Sequence, residues 1–470
     1  MLFRVFLPKG GVGRFIGGVV VAFVVSGPVR AQETGVTGTM PEDLIPALRP
    51  LIANGLRQAP EMIARDIDVS ISEAQRLYAG YAPMLPSVSG NAQFGEFQTA
   101  IANNPQATSR TQGSFYEVDF AQPVFRWGAL RNQLQVQRIA VLMSEKQFAA
   151  GYLGFVNAVR RQYEGLIVAK MSLRNARLNL RMRQKAMDLA NVQLNAGTIA
   201  RTSAVSVQLD LDSTQLGVDR DSQSYDFSRH ALARELGLRD IPDDSIPAEI
   251  PLPKYSAATS SSLVTELLQT GARNTIEVQQ GKLQLEQSRL QYQIARVGLY
   301  PGFSARATIQ QWNQSNVQNG AVTQTALTSE QYSLRADWYI FDGFATRGRT
   351  HEALLRRREA ERKLDQTSDQ VMNEAQDSQR GVDLAWRQLQ ITERQFEMST
   401  YSNLQQQAEF KLGNVSQDDA DRSKYSYGAT QVGDASTRNG FLSAWCDFLS
   451  VVAADPAMNQ LPASYARAKP

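Results

Sequence analysis

The stretch Tyr332–Phe344, YSLRADWYIFDGF, alternates apolar and polar residues: Tyr332, Leu334, Ala336, Trp338 and Ile340 fall on one side, Ser333, Arg335 and Asp337 on the other. A period of two marks a β-strand with one apolar and one wet face. Beyond Gly343 the pattern changes. Ala345 to Leu412 holds no proline and reads as one helix of about 68 residues, a rod of roughly 100 Å at 1.5 Å per residue. No compact globular domain accommodates such a rod.

The same plan occurs earlier in the chain. YEVDFAQPVFRWG (Tyr116–Gly128) aligns with the opening stretch, pairing Tyr116 with Tyr332, Val118 with Leu334 and Val124-Phe125 with Ile340-Phe341, and the same displacement pairs Gly197 with Gly413. Ala129 to Ala196 is then the first rod. Upstream of each half, GYAPMLPSVSG and VGLYPGFSARA carry a proline, Pro83 and Pro301, entering a second alternating strand. A two-fold internal repeat follows, with strands expected at about 85–98 and 113–125 in one half and 302–313 and 330–341 in the other. The connections QTAIANNPQATSRTQ and NQSNVQNGAVTQTALTSEQ are polar and read as solvent loops.

Each rod ends at a glycine, in LNAGTIARTSA and FKLGNVSQDDA, and helical sequence resumes a few residues later. Glycine at C′ followed by Thr or Ser is stop-then-start chemistry, so each rod turns back as a helical hairpin. In the second, Val371, Ala375, Ser378, Val382, Ala385, Leu389, Thr392 and Phe396 alternate spacings of four and three, a coiled-coil seam of small members. Pro41 to Ala79 and Ser262 to Val297 read as shorter helices, and a Pro/Ser-rich linker between them joins the halves across the outside.

The N-terminus reads as a secretory signal peptide over 1–31: Arg4, Lys9 and Arg14, an apolar run Phe15–Val25, and a small-residue cleavage site before Gln32. KGGVGRF lacks the Lys-Ser/Thr of a phosphate loop. Removing four positive residues leaves 45 Lys and Arg against 46 Asp and Glu, a net −1, which withdraws support for nucleic-acid binding. Mean hydropathy is −0.33, and no later segment is long and apolar enough for a spanning helix. The single cysteine, Cys446, is not at the cleavage point, so a lipoprotein is not expected; it reads as a small buried hydrophobe. His230 and His351 have neither metal-ligand nor triad spacing, so no enzyme, catalytic residue, metal or cofactor is expected.

A signal peptide with strands of about ten residues, apolar on one face and polar on the other, describes outer-membrane barrel strands. Four strands do not close a barrel, and open edges are not tolerated in lipid. The chain must oligomerise: two copies give a filled eight-stranded barrel, whereas three give twelve strands able to enclose water, which the polar faces favour.

With repeated strands, rods and glycine tips in hand, the chain resembles the TolC-type outer-membrane factors over about residues 41–450, through QPVFRWG, YIFDGF, NAGTIARTSAV and LGNVSQDDA. The resemblance implies an α+β membrane protein, a homotrimer whose twelve-stranded barrel in the outer membrane continues as a periplasmic tunnel of twelve helices. It also implies a periplasmic adaptor and an inner-membrane pump, ABC or proton-driven, as partners in tripartite export. The domains are then 1–31, a first half 32–250, a second half 251–450 and a tail 451–470. Trp127, Trp338, Tyr339 and Phe341 become membrane-interface aromatics. Ala196-Gly197-Thr198 and Leu412-Gly413-Asn414 become adaptor-contact tips.

Asp419, six residues after its tip glycine, matches the family's gate acid, with Asp418 and Arg422 beside it. Arg422 stands where the family can place a second acid, and Val415 and Phe410 replace its gate-tying arginine and tyrosine. Ser416 and Asp419 equally read as a capping box. RRREAERK, Arg356–Lys363, reads as a docking patch or a solvated helix face. The alternative to a channel is a periplasmic coiled-coil tether. Polar tunnel walls encode no cargo, so drug efflux and protein secretion both stay open.

Overall fold

The structure, a computed structural model, describes residues 40–461 except 102, 103, 319 and 320. The expected signal segment lies outside them. Four strands, β1 (Ser87–Ile101), β2 (Asn104–Phe125), β3 (Gly302–Gln318) and β4 (Ala321–Asp337), form one antiparallel sheet in the order β1-β2-β3-β4. The strands are longer than their alternation suggests, because the connectors expected as solvent loops continue the ladder: Gln98 pairs with Arg110 and Asn316 with Thr323. Asn, Gln and Thr side chains mark contact with water, but say nothing of whether the backbone is paired.

The opening stretch needs the opposite correction. β4 stops at Asp337, the last polar member of the alternation, and Trp338–Phe341, four apolar residues in a row, lie beyond the strand. The Trp338 indole donates instead to the Leu299 carbonyl at 3.1 Å, and Asp342 Oδ2 accepts from the Thr346 amide at 2.8 Å, starting the next helix.

That helix, α8 (Ala345–Lys411), has 67 residues, as does α4 (Ala129–Asn195); their return helices α5 (Arg201–Glu235) and α9 (Gln417–Val451) have 35 each. Shorter helices stand beside them. The tract expected as one helix before β1 is divided into α1 (Pro41–Leu44), α2 (Leu48–Gln58), α3 (Pro60–Gln75) and a π-helical turn Arg76–Tyr81. Pro46 and Pro60 interrupt it by removing backbone donors. The tract before β3 is α6 (Ala257–Thr270) and α7 (Ile276–Val297), parted by left-handed Gly271 and Ala272. Of the expected α8 seam, Val371, Ala375, Val382, Leu389 and Thr392 are buried; Ser378, Ala385 and Phe396 are half-buried.

The two halves are joined by a strap between α5 and α6 that crosses four helices in turn. Its Ile241 carbonyl accepts from Arg229 of α5, Ser245 and Ile246 carbonyls accept from Tyr163 and Lys170 of α4, and the Ile250 carbonyl accepts from Arg438 of α9. Tyr255 then donates to Asp383 of α8 at 2.5 Å, within a ring cluster of Trp386, Phe441 and Trp445. Ile241, Ile246 and Ile250 are buried at 1–3 % exposure, so the strap is anchored by apolar pegs as well as by its backbone.

Beside the strap, α4 carries a buried charge cluster. Arg160 donates to Glu42 of α1 at 2.7 Å and to Asp455, just past α9, at 2.6 Å, tying both ends of the described chain to one helix. Glu164, one turn on, is 1 % exposed and its Oε1 has no hydrogen-bond partner among the described residues. Burial pushes its carboxyl well above the usual range, against the pull of Arg160. Burial likewise pushes up the Cys446 thiol, which is a packed hydrophobe and not a reactive group.

Replacing Arg160 by Met should destabilise the protein by about 3–5 kcal/mol, since two buried carboxylates lose their partner; the denaturant midpoint followed by tryptophan fluorescence reads it. Glu164 titrates with the opposite sign to a paired acid. Its folded pKa lies above the unfolded one, so the folded state holds the proton longer. Its contribution to stability is whole below the unfolded value and is lost as pH rises through the folded one. Glu164→Gln should therefore raise the midpoint at neutral pH and flatten its decline with rising pH, while unchanged pH dependence would contradict this.

Candidate functional site

The sheet register sorts side chains into two faces across all four strands. Val88, Phe120, Ala307 and Tyr332 share one row, and Ser89, Asp119, Thr308 and Gln331 the next, on the opposite face. The apolar face stands open: Val88, Val118, Ile309, Tyr332 and Leu334 are exposed, Leu334 at 85 %. On the polar face Asp119 accepts from Arg306 Nε at 2.6 Å and Thr308 Oγ1 at 2.7 Å, and Arg335 pairs with Asp337 at 2.7 Å. Such a sheet suits lipid on one side and water on the other. Among the described residues β1 and β4 each pair along one edge, and they run in opposite directions.

At the base of the sheet each half turns from strand to helix through two successive left-handed residues, Trp127 (φ 49°) and Gly128 (φ 81°), then Gly343 (φ 64°) and Phe344 (φ 66°). Trp127 donates from its indole to the Pro301 carbonyl at 2.8 Å and packs on Phe125 and Tyr300, as Trp338 grips Leu299. The two tryptophans thus converge on the segment entering β3. Tyr339 and Phe341 are exposed alongside, Phe341 edge-on to Phe344. Sequence reading missed Phe125, Tyr300 and Phe344 in this collar; the signal was their position, each within two residues of a strand end or a junction glycine.

At the far end, the two tips share one hydrogen-bond pattern. The Gly197 amide donates to Leu194 and the Thr198 amide to Gln193; the Gly413 amide donates to Phe410 and the Asn414 amide to Glu409. Both are Schellman caps, with glycine at φ 73° and 80° and open space for 4 Å around the point where a Cβ would stand. Ala196 and Leu412 close the helices as C-caps, so all six expected tip residues sit in two matching turns.

Beyond the second tip, Ser416 caps α9. Its Oγ accepts from the Asp419 amide at 3.1 Å and donates to Asp419 Oδ2 at 2.6 Å. Arg422 pairs with Asp418 at 2.6 Å, four residues apart. The three expected gate residues therefore lie together on the first two turns of one exposed helix end, with Asp418 paired to Arg422 and Asp419 bonded to the capping Ser416. Val415, Asp419 and Arg422 also line a cleft of about 830 Å³ between α8 and α9.

In the basic run of α8, Arg356 pairs with Glu352 and Arg357 with Glu361, each one turn away. His230 stands 3.4 Å from Asp240, and no cluster of three or more potential metal ligands occurs among the described residues. No described helix is long and apolar enough to cross a membrane.

Replacing Gly413 by Ala should destabilise the second hairpin tip by about 1–2 kcal/mol through the left-handed backbone alone, because open space surrounds it. Faster hydrogen exchange at the Gly413 and Asn414 amides, with the sheet unaffected, is the expected reading.

A family model described as outer membrane efflux protein matches residues 51–238. No curated protein sequence matches the chain. Among solved structures, the CmeC outer membrane channel of Campylobacter jejuni superimposes with a TM-score of 0.63 at 14% identity, covering 89% of this chain and 90% of its own. The outer membrane protein VceC of Vibrio cholerae gives 0.61 at 15%, covering 86% and 95%, and the MtrE outer membrane channel of Neisseria gonorrhoeae gives 0.61 at 15%, covering 86% and 89%. At such identities the structures speak for the fold. Residues 51–238 carry the outer membrane efflux protein match, and the chain as described has the fold of the TolC-type outer-membrane factors.

Proposed function

We propose that this chain is the exit duct of a tripartite export system, a homotrimeric channel leading from an inner-membrane pump and a periplasmic adaptor through the outer membrane. The observation that carries this reading is the open sheet. Its apolar face needs lipid, and its two unpaired edges need partners, since an unpaired backbone group in hydrocarbon costs several kcal/mol. Because β1 and β4 run oppositely, β4 of one copy meets β1 of the next as an antiparallel neighbour. Three copies close twelve strands around the polar face of Asp119, Thr308 and Arg306, giving a wet interior.

The helices make the same demand. Leu189, Val192 and Leu209 on one hairpin and Met398, Tyr401 and Leu404 on the other are exposed, apolar surface that a two-helix unit has no means to cover. Neighbouring copies in a tube wall cover it. The N-terminal 31 residues act as a cleaved signal, Gln32 begins the mature chain without a lipid, and Trp127, Trp338, Tyr339 and Phe341 ride at the periplasmic rim of the bilayer. The tip turns face the adaptor, and Asp419, in three copies, rings the entrance.

A trimer that fractionates with the outer membrane and has an unmodified N-terminus at Gln32 is the expected result of cell fractionation and native mass measurement in mild detergent. A soluble periplasmic monomer would leave the tether reading standing instead. For the entrance, planar-bilayer conductance of Asp419→Asn should show reduced cation preference; lower helix stability with unchanged selectivity would make Asp419 a cap alone. Gly413→Val should abolish export while the trimer persists, and normal export by such a trimer would remove the docking role from the tip.

A further inference from the structure

Below the strap, α4 presents a row of cations on one line. Lys170, Arg174, Arg177 and Arg181 all fall within about 40° of the direction of Tyr163 at 100° per residue. The upper members of the row hold an acidic, extended peptide: the strap itself, IPDDSIPAEI over 241–250. Tyr163 donates to the Ser245 carbonyl at 3.0 Å, and Lys170 Nζ donates to the Asp243 and Ile246 carbonyls at 2.7 and 3.0 Å and pairs with the Asp243 carboxylate at 3.3 Å. Arg174 is occupied by Gln431 of α9, which also holds Glu249 of the strap. Lower on α4, Lys185 pairs with Asp421 at 2.8 Å.

Between these occupied levels Arg177 and Arg181 have no ion pair or side-chain hydrogen bond among the described residues. Both line a groove of about 710 Å³ that continues from the strap between α4 and α5. The two acids lining that groove are already engaged, Asp243 with Lys170 and Tyr225, Asp226 with Arg229. The groove wall on α4 also supplies Leu173 and Leu180, apolar surface beside the arginines.

We propose that this groove binds an acidic, extended segment of another protein, laid beside the strap and held in the same manner: carboxylates and carbonyls on Arg177 and Arg181, an apolar side chain on the leucines. The occupant follows from charge complementarity and from continuity with a bound segment of the same chemistry. A guanidinium fork suits carboxylates and carbonyls alike. Arg177 and Arg181 lie 20 and 16 residues above Gly197 on α4, roughly 30 and 24 Å at 1.5 Å per residue, and the site uses none of the residues given to the rim, the tips or the entrance.

The test uses the full-length protein in mild detergent and a fluorescein-labelled peptide IPDDSIPAEI as probe, read by anisotropy. Saturable binding that weakens as salt rises from about 50 to about 300 mM is expected. Arg177→Glu combined with Arg181→Glu should weaken it at least tenfold. The double lysine variant should retain most of it, and Arg380→Glu, on an exposed part of α8, should leave it unchanged. Because Arg177 and Arg181 are exposed, size-exclusion profiles of these variants should match the parent. Absence of binding, or binding indifferent to both arginines in a variant that keeps its profile, overturns the proposal. Soluble muropeptides that bind through the same arginines while the peptide does not would overturn it in favour of a cell-wall ligand. Bilayer conductance is measured on the same variants and should be unchanged, so failure of the groove and failure of the channel reading are separable.

Discussion

α8, about 100 Å long, has little in its seam to fix its level. α8 buries six residues along 67, and a seam of Ala and Val at period 3.5 accepts sliding by a whole heptad. The strap removes that freedom. It is gripped at its carbonyls by Arg229, Tyr163, Lys170 and Arg438 from three different helices, and ends with Tyr255 on the fourth. Each grip fixes one helix at one height, so the level of both hairpins is set at the strap and inherited by the tips. Arg160 adds the chain ends to the same belt, holding Glu42 and Asp455 within one guanidinium.

The strand-to-helix junctions show what a repeat preserves. Both halves need two consecutive left-handed residues, but the glycine occupies the second place in Trp127-Gly128 and the first in Gly343-Phe344. The shared feature is the backbone path, and glycine serves at either position. The residue without that freedom is aromatic in both halves, and a non-glycine residue in this region costs of order 1 kcal/mol or more. Trp127 offsets it with an indole hydrogen bond and two ring contacts, and Phe344 with its edge contact to Phe341.

What could be read from the sequence was what periodicity and breakers encode. Alternation located the strands, the absence of proline gave the long helices to within a residue, and Gly197 and Gly413 located the turns. The polar hairpin ends were misread as loops because composition reports solvent and not pairing. The end of β4 was misread because Trp338 and Ile340 extend the apolar side of the pattern, although its polar side ends at Asp337 and the Trp338 indole has left the sheet for Leu299. Among the candidate site residues, Trp127 and Trp338 were legible as aromatics near a junction, but their convergence on residues 299–301 was not, since it joins positions far apart in the chain. The strap's grip on four helices was equally hidden, being made through main-chain carbonyls that any residue supplies. For Asp419 the sequence held both a cap and a charge, and the geometry draws the cap without removing the charge.

The halves agree in length and disagree in burial. α4 buries 21 residues and α8 six, yet both have 67, and both return helices have 35. If packing set helix length, the poorly buried α8 would be free to shorten, because an exposed turn contributes little to stability. Equal length follows instead from a shared requirement at the ends: each rod must run from a junction at the base of the sheet to a tip at the same depth. Burial is then distributed by position. The upper part of α4, Leu134 to Leu173, packs against the short helices, the strap and α9, while the part below Leu173 buries only Ala190. The region near the strap is built as a globular core, and the region beyond it as a wall whose remaining apolar surface is left for neighbours outside the chain.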